Sequence, residues 1–361
     1  MKTPKAFLLL ASLVVILALA LNACAPAPAA PTEAPKAEPT KAPMTEPTEA
    51  PPAVEPPSEP FRVAMVLGCK IDDGDWCQAG YEGLEEAIKQ FGDKIETTYT
   101  EDTTIPDMEK VMRDFATEGY DLIICHSSIA KEGIMNAAKD FPDTQFVWTD
   151  GDETLPNLAV VRSMTQEASY LAGLIAGKLT QSNVVGMVGA MDIPSTHRGY
   201  AGFEMGLKEA NPDAKLLVNW TGDFVDLKGA KEATLSQIEA GADIIHGNGG
   251  SLNLGTLQGA SEKNVLAIGA VRDQYNLAPS VVVTSVEWGF KKGFAMIIGE
   301  AMEGKLKVGD FYDLGLAEGA ELSDYHDNAS KVPDDVKALV EQKKKDILSG
   351  TLEIPNIESG S

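Results

Sequence analysis

The residues whose side chains are best suited to bind a ligand lie in one acidic loop at residues 67–78, Leu-Gly-Cys-Lys-Ile-Asp-Asp-Gly-Asp-Trp-Cys-Gln. The carboxylates of Asp72, Asp73 and Asp75 can accept hydrogen bonds from the N–H groups of a ligand, and Trp76 offers a flat apolar wall for a ring. The same carboxylates can instead cap the helix that follows. A calcium loop is a third interpretation, but the spacing lacks the glycine and the terminal glutamate of an EF-hand.

Two weaker candidates follow other strands. Ser127 ends a predicted strand and can line the same cleft or cap a helix. Asn248 opens the sequence Asn-Gly-Gly-Ser before a helix, where backbone N–H groups can hold a polar ligand atom. His197 and Arg198 lie at a helix start, where we expect a solvated role.

Patterns that would indicate catalysis are missing from the sequence. It contains no zinc-ligand spacing, no nucleophile elbow and no phosphate loop with Gly-Lys-Ser/Thr. We therefore predict a binding protein and not an enzyme, with no cofactor and no metal site.

The charge balance narrows the range of partners. The chain has 361 residues with 30 Lys+Arg and 54 Asp+Glu, which gives a formal net charge of 30 − 54 = −24. Nucleic-acid binding needs a basic face, so a chain this acidic is not expected to bind nucleic acid or to dock broadly onto anionic lipid. Small molecules and proteins remain as partners, and the protein is expected to be a monomer.

From residue 61 onward, short apolar runs alternate with amphipathic stretches of helical length. Strands that are apolar throughout, each followed by a helix, predict parallel sheets covered on both faces. Turn-rich residues near 162–165 and 284–288 are natural crossovers. We expect an α/β fold of two lobes, each a doubly wound parallel sheet, with a ligand cleft between them. The expected first lobe is 61–163 plus about 286–312, and the second is 164–285 plus about 313–349.

The N-terminal 60 residues are interpreted as targeting and tether segments. Lys2 and Lys5 precede a short apolar run, which is typical of a secretory signal peptide. Leu-Asn-Ala-Cys at 21–24 resembles the lipobox of bacterial lipoproteins, which implies a signal peptide at 1–23 and lipidation of Cys24. Residues 25–60 hold 12 of the 21 prolines. The expected segment 24–60 is thus a lipidated cysteine and a tether, which can reach roughly 110 Å from the outer face of the membrane.

Three cysteines remain after Cys24 is assigned to lipid. An odd number outside the cytosol allows at most one internal disulfide. Cys69 can pair with Cys125 across neighbouring strands or with Cys77 along the chain, and three buried thiols are equally compatible with the pattern.

A family resemblance emerges when the acidic loop is extended. With Ala-Gly-Tyr-Glu-Gly-Leu at 79–84, it resembles the first signature of the basic membrane protein family, the lipoprotein solute-binding components of ABC importers. Further matches follow in the family's order over 61–349: Glu-Gly-Tyr-Asp-Leu-Ile-Ile (118–124), Phe-Pro-Asp (141–143), Asp-Gly (150–151), Ser-Tyr-Leu-Ala-Gly (169–173), Asn-Pro-Asp (211–213), Gly-Ala-Asp-Ile-Ile (241–245) and Tyr-His-Asp (325–327). The resemblance implies a type I periplasmic-binding-protein fold.

The resemblance also implies a purine ligand. The best understood members bind a purine nucleoside, and Asp73, Asp150 and His246 correspond to their base-contacting positions. Val271 stands in the stretch that supplies an Asp to the ribose, and Trp288 stands where the family has a Lys. Neither can replace the lost ribose contact, and unpaired polar groups cost about 1–3 kcal/mol each. We therefore expect a free base to bind better than its nucleoside.

Our specific hypothesis is that Trp76 and Trp288 sandwich a planar heterocycle whose ring N–H groups donate to Asp73 and Asp150. The alternative is that Trp288 packs at the hinge and the ligand is of another kind. The expected protein captures a purine-like ligand outside the membrane and delivers it to the permease and ATPase subunits of an importer. Competing functions are a ligand-binding sensor subunit and a purine-processing enzyme.

Overall fold

The computed structural model describes residues 59–358, so the expected signal peptide at 1–23, Cys24 and most of the expected tether at 24–60 lie outside the described residues. The first of two sheets contains β1 (Phe61–Leu67), β2 (Ile95–Thr100), β3 (Leu122–His126), β4 (Gln145–Thr149), β5 (Leu158–Ser163) and β11 (Phe311–Leu314). Their spatial order is β11-β5-β4-β3-β1-β2, and every neighbouring pair is parallel.

The second sheet repeats this arrangement. It contains β6 (Val184–Gly189), β7 (Lys215–Trp220), β8 (Ile244–Asn248), β9 (Leu266–Val271), β10 (Val282–Trp288) and β12 (Ala320–Leu322). The order is β12-β10-β9-β8-β6-β7, and only the edge strand β12 is antiparallel to its neighbour. The expected two-lobed α/β fold is therefore confirmed, with one short antiparallel strand added.

Helices cover both sheets. They are α1 (Trp76–Phe91), α2 (Ile105–Thr117), α3 (Lys131–Asp140), α4 (Gln166–Leu179), α5 (Pro194–Ala210), α6 (Leu227–Glu239), α7 (Asn253–Lys263), α8 (Phe290–Met302) and α9 (Asp334–Leu348). In the first lobe α1 packs against α8 and α2 against α3. In the second lobe α4 packs against α5 and α9, and α6 packs against α7.

The burial of β1 explains why its sequence is apolar without interruption. Val63, Met65 and Leu67 pack into one apolar cluster, whereas Ala64 and Val66 pack into another on the opposite face of the sheet. All five side chains are fully buried. Because side chains alternate between faces along a strand, a sheet with helices on both faces selects apolar residues at every position.

The chain passes between the sheets after Ser163, after Trp288 and after Leu314. Residues 286–288 were expected in the first lobe, but they belong to the second sheet because β10 continues to Trp288 and pairs there with β9 and β12. Residues 313–314 were expected in the second lobe, but they pair with β5 in the first sheet. Both differences are shifts of two or three residues at the crossovers.

Candidate ligand-binding site

A cavity of about 280 Å³ lies between the two lobes. Loops that follow β1, β2 and β3 line it from the first lobe, and loops that follow β6, β7 and β8 line it from the second, together with the end of β10. All of these are carboxyl ends of parallel strands, where open α/β sheets bind their ligands. The volume is at the lower end of the usual range for ligand pockets, about 300–1,000 Å³. A small molecule is therefore the fitting occupant.

Trp76, the first residue of α1, forms part of the cavity wall. One face of its indole stacks on the imidazole of His126, with ring centroids 4.4 Å apart and an interplanar angle of 15°. The indole N–H donates to the backbone oxygen of His126 at 3.2 Å, and Phe290 packs edge-on at 5.0 Å. Burial lowers the pKa of His126 to about 3, so the stacked imidazole is neutral. A ligand that stacks on Trp76 can therefore use only the opposite indole face.

Trp288 also lines the cavity, but the expected sandwich is not the arrangement in the structure. The rings of Trp76 and Trp288 meet edge to face, with centroids 5.8 Å apart and an interplanar angle of 84°. Trp288 is 2% exposed and packs at the end of β10, where the chain leaves the second lobe. Two perpendicular rings in contact leave no parallel slot, so the site offers one stacking face and one aromatic edge.

A disulfide joins Cys69 and Cys77, the second of the pairings that the sequence left open. It closes the loop between β1 and α1 immediately beside Trp76, and Cys69 itself lines the cavity. Cys125 is a buried free thiol whose pKa is raised to about 12 by burial. The disulfide and the His126 stack together fix the position of the Trp76 ring.

The facing wall of the second lobe is a glycine turn. Gly249 and Gly250 have φ values of 92° and 81°, in the left-handed region that L-residues with side chains rarely adopt. A Cβ atom at Gly249 would lie 2.9 Å from the Thr196 methyl group and 3.4 Å from the Trp288 ring. Glycine therefore allows this backbone to approach the cavity closely.

Hydroxyl groups supply most of the side-chain polarity of the cavity. Ser127 and Ser128 line it from the first lobe, and Ser195, Thr196 and Ser251 line it from the second. Among residues 59–358, no Asp, Glu, Lys or Arg side chain belongs to its wall. Hydroxyls both donate and accept, so this lining suits a neutral ligand that carries both kinds of group.

Asp73, expected to bind the ligand, caps α1 instead. Its carboxylate accepts the backbone N–H groups of Asp75, Cys77 and Gln78 at 2.9–3.2 Å, and the Ser251 hydroxyl donates to it at 3.1 Å. These contacts satisfy the free N–H groups of the first helical turn, so the carboxylate is already occupied. The capping interpretation of the acidic loop is the one that the structure supports for Asp73.

Asp150, the second expected carboxylate, forms a buried ion pair across the lobes. Its oxygens accept from Arg198 at 3.0 Å and from the Ser163 hydroxyl at 2.7 Å. Burial raises the pKa of Asp150 against the opposing effect of Arg198. Asp150 lines a neighbouring hollow that also contains Glu358, which accepts from Arg198 at 2.9 Å. The expected solvated role of Arg198 is wrong, since this residue is 2% exposed.

His246 and Asn248, both on β8, lie outside the cavity wall. The imidazole of His246 stacks on Phe203 at 4.6 Å within the second lobe, and burial lowers its pKa to about 4. The Asn248 amide donates to the backbone oxygen of Thr196 at 2.8 Å. His246 therefore packs in the core, and Asn248 supports the start of α5, which carries Thr196.

Of the expected site residues, the structure brings Trp76, Ser127 and Trp288 together. Sequence reasoning missed His126, Thr103 and Ile105, the Ser195–Thr196 pair, and the Phe224–Val225 pair, which also line the cavity. Most of these residues follow strands, so the rule that ligands bind beyond strand ends could have found them.

One cluster of metal-type ligands comes together within residues 59–358, formed by Cys69, Asp73 and Cys77. Its two sulfur atoms are bonded to each other, and the Asp73 carboxylate accepts the hydrogen bonds of α1. A disulfide has no thiolate to offer a metal ion. This cluster is therefore a structural element of the loop.

Two lobes of mainly parallel sheet that enclose a cavity at their strand ends define a two-lobed solute-binding protein. A profile of the family described as "ABC transporter substrate-binding protein PnrA-like", the basic membrane proteins, matches residues 61–358, and the chain belongs to this family. The resemblance noted in the sequence is thereby confirmed. Among the helices within residues 59–358, none is both long and apolar enough to cross a membrane.

Individual relatives differ in what their names say they bind. A purine-binding protein of Brucella abortus is 28% identical over 298 residues, covering 81% of this chain and 83% of that protein. A putative ABC transporter glucose-binding protein of Haloferax volcanii is 26% identical, covering 82% and 74%. The structure of an ABC transporter solute-binding protein from Conexibacter woesei is 26% identical, with a TM-score of 0.68 and coverage of 83% and 100%.

Proposed function

We propose that the protein is the substrate-binding component of an ABC importer and that it captures a small, uncharged, planar heterocycle of the purine-base class. It presents this ligand to the permease from outside the cytoplasmic membrane, anchored through a lipid on Cys24, and performs no chemistry itself. The observation that carries the ligand class is the Trp76 indole, one face of which stacks on His126, in the wall of a cavity between the lobes whose described lining has no charged side chain.

The aromatic wall favours a flat ring. A heterocycle that stacks on Trp76 gains dispersion and burial energy over its whole face, and base–aromatic stacking is worth about 1–3 kcal/mol. The Trp288 ring lies nearly perpendicular to the Trp76 ring, with centroids 5.8 Å apart, and forms a second aromatic part of the wall. A sugar ring, which is puckered and covered with hydroxyl groups, gains less from such a surface.

The polar part of the wall fits the edge of a purine. Ser127 and Ser195 can each donate to a ring nitrogen or accept from a ring N–H, and Ser251, whose O–H donates to Asp73, can accept from a ring N–H. In this arrangement hydroxyl groups replace the Asp73 and Asp150 carboxylates that were expected to contact the base. Because neither a cation nor a carboxylate lines the described cavity, a phosphorylated ligand would remain without a charged partner.

Discrimination against ribose follows from the same wall. Trp288 occupies the position where the family supplies a Lys, and its indole fills part of the cavity. Val271 lies outside the cavity wall and cannot accept a hydroxyl hydrogen bond in any case. The name of the Brucella abortus relative supports a purine ligand, and the name of the Haloferax volcanii relative makes glucose the alternative to test.

A ligand screen tests the proposal. The protein is residues 24–361 with Cys24→Ser, which removes the lipid attachment point, and the compounds are adenine, guanine, hypoxanthine, their nucleosides and glucose. A ligand at 100 times its Kd should stabilise the protein by about 2.7 kcal/mol in thermal unfolding, and calorimetry then gives Kd. We expect a base to bind more tightly than its nucleoside and to be recovered unchanged. Tighter binding of nucleosides or glucose, or turnover of the base, would contradict the proposal.

A further inference from the structure

The mouth of the cavity has a different chemistry from its floor. Ile105 at the start of α2, Ile129 after β3 and Val225 after β7 all line the cavity and remain exposed, with exposed fractions of 39%, 58% and 60%. Twelve large apolar side chains remain exposed among residues 59–358, and three of them surround this one opening. Exposed apolar side chains that cluster beside a cavity mark a surface that a ligand or partner covers.

These three residues belong to both lobes. Ile105 and Ile129 come from the first lobe and Val225 from the second, so the apolar rim, defined as these three side chains, surrounds the opening from both sides. The nearest hydroxyl to Ile105 along the chain is that of Thr104, and it donates to the Asp107 carboxylate at 2.6 Å. The three rim side chains themselves offer no hydrogen bond to a group that leaves the cavity between them.

The floor, in contrast, is aromatic and polar. Trp288, Thr196 and Ser127 are 2%, 1% and 7% exposed and lie deep in the cavity, beside the stacking face of Trp76. A ligand matched to both zones has a flat polar ring at the floor and an apolar group at the mouth. A ribose at the mouth would place hydroxyl groups against aliphatic side chains.

We infer that the ligand is a purine-like base carrying a small alkyl or alkenyl substituent, which the apolar rim of Ile105, Ile129 and Val225 covers. This inference rests on the proposed function, because it assigns a substituent to the heterocycle that stacks on Trp76. The rim makes the protein selective for an apolar substituent over a polar one, such as ribose, at the mouth of the cavity.

Calorimetry with adenine, with N6-alkyl and 9-alkyl adenines of one to four carbons, and with adenosine tests the inference on residues 24–361 with Cys24→Ser. Each methylene that becomes buried should tighten binding about fourfold. In one of the two series we expect Kd to fall severalfold per carbon until the rim is covered. Adenosine should bind more weakly than adenine.

Variants of the rim separate contact with the ligand from other effects. Ile129→Ser and Val225→Ser should each weaken the best alkyl adenine about tenfold more than they weaken adenine. The control is Ile88→Ser, because Ile88 is also an exposed isoleucine, at 43%, but lies on α1 outside the cavity wall. It should change neither Kd.

Three outcomes overturn the inference in different ways. If adenine binds and no alkyl series improves on it, the rim does not cover a substituent, although the proposed function stands. If the rim variants weaken adenine and alkyl adenines equally, the rim acts in lobe closure and not on the ligand. If none of the purines binds, the proposed ligand class and this inference fail together.

Discussion

The indole of Trp76 can serve a ligand with only one face, since the imidazole of His126 covers the other at 4.4 Å. Trp76→Ala removes the stacking surface and should weaken adenine binding by about 1–3 kcal/mol, or roughly 5-fold to 150-fold. Trp76→Phe keeps a smaller ring and should lose less. Calorimetry on each variant gives the change in Kd.

The matched control for Trp76→Phe is Trp220→Phe. Trp220 ends β7 in the second lobe, packs against Tyr200 and lies outside the cavity wall. Its replacement should leave Kd unchanged. A Trp76→Ala protein that is folded and binds adenine with the original Kd would exclude Trp76 as the stacking surface.

Glu287 on β10 introduces a pH dependence into stability. Burial raises its pKa from 4.5 to about 7, and the charges of Glu321 and Asp273 act in the same direction. A carboxyl group whose pKa is raised by folding makes its full contribution to stability below the pKa that it has in the unfolded chain, near 4.5. This contribution is lost as the pH rises through about 7. Glu287→Gln removes the ionisation and should be more stable than the parent at pH 8 by up to about 3 kcal/mol.

Urea unfolding of both proteins at pH 4.5, 6, 7 and 8 checks this expectation. The two free energies should be similar at pH 4.5 and diverge toward pH 8. Glu85→Gln, which changes an exposed glutamate on α1, is the control and should leave the shape of the pH profile unchanged. Parallel profiles for the parent and Glu287→Gln would show that Glu287 ionises normally in the folded protein.

At the scale of elements, the loop between β1 and α1 is closed by the Cys69–Cys77 disulfide, with a sequence separation of 8. A disulfide that closes a loop of this length stabilises the folded protein by about 2–3 kcal/mol, because it reduces the conformational entropy of the unfolded chain. The double variant Cys69→Ser, Cys77→Ser should lose about this much free energy of unfolding. It should also bind adenine more weakly, because Trp76 directly precedes Cys77.

Denaturant unfolding and calorimetry measure the two effects separately. Cys125→Ala is the control for cysteine replacement, since Cys125 is buried in the first lobe and unpaired. It should affect stability and not Kd. An unchanged Kd in the double serine variant would mean that α1 and the His126 stack position Trp76 without the disulfide.

The order of the elements was predictable from sequence because apolar strands and amphipathic helices alternate so regularly. Strands β11 and β12 were missed, as they have only 4 and 3 residues and exist through pairing with distant strands. Helix α5 begins at Pro194, before His197 and Arg198, the residues that the sequence placed at a helix start. The N–H group that proline lacks has no hydrogen-bond partner at the first helical position, so proline is favoured there. The sequence therefore indicates this helix start.

The site was less predictable than the fold, for a geometric reason. Alternate residues of a strand point to opposite faces, so His246 on β8 packs against Phe203 although its position in the chain matches a site residue. The sequence allowed Asp73 either to bind a ligand or to cap a helix. In the structure its carboxylate oxygens accept hydrogen bonds from the free N–H groups at the start of α1. The cavity also combines several loops that are distant in sequence, and no local pattern shows which of them meet.

At the scale of the whole molecule, a buried contact that we term the Asp75 clasp joins the lobes. The carboxyl group of Asp75, in the first lobe, is completely buried and accepts from the amides of Asn253 at 2.7 Å and Gln274 at 2.9 Å, both in the second lobe. Burial and the nearby charge of Asp73 raise its pKa. Opening the lobes breaks these bonds, so the clasp favours the closed arrangement.

Removing one of the two second-lobe partners of the clasp should therefore shift the lobes toward an open state. A hydrogen bond to a carboxyl group contributes about 1.5–3 kcal/mol when its partner is charged, and less when it is neutral. Asn253→Ala should increase the radius of gyration of the ligand-free protein in X-ray scattering. It should also raise the Kd for adenine, because part of the binding energy must then be used to close the lobes. The hydrogen-bond energy of about 1.5–3 kcal/mol limits this increase to roughly 10-fold to 150-fold.

A matched variant separates lobe closure from general destabilisation. Asn328 is also a buried asparagine of the second lobe, but its amide donates to Pro279 and Val282 in the same lobe, at 2.8 and 2.6 Å. Asn328→Ala should lower the free energy of unfolding and leave both the radius of gyration and Kd unchanged. If Asn253→Ala behaves in the same way, the clasp contributes to folding and not to closure. Since saturating adenine favours the closed state, it should return Asn253→Ala, if folded, to the parent's radius of gyration.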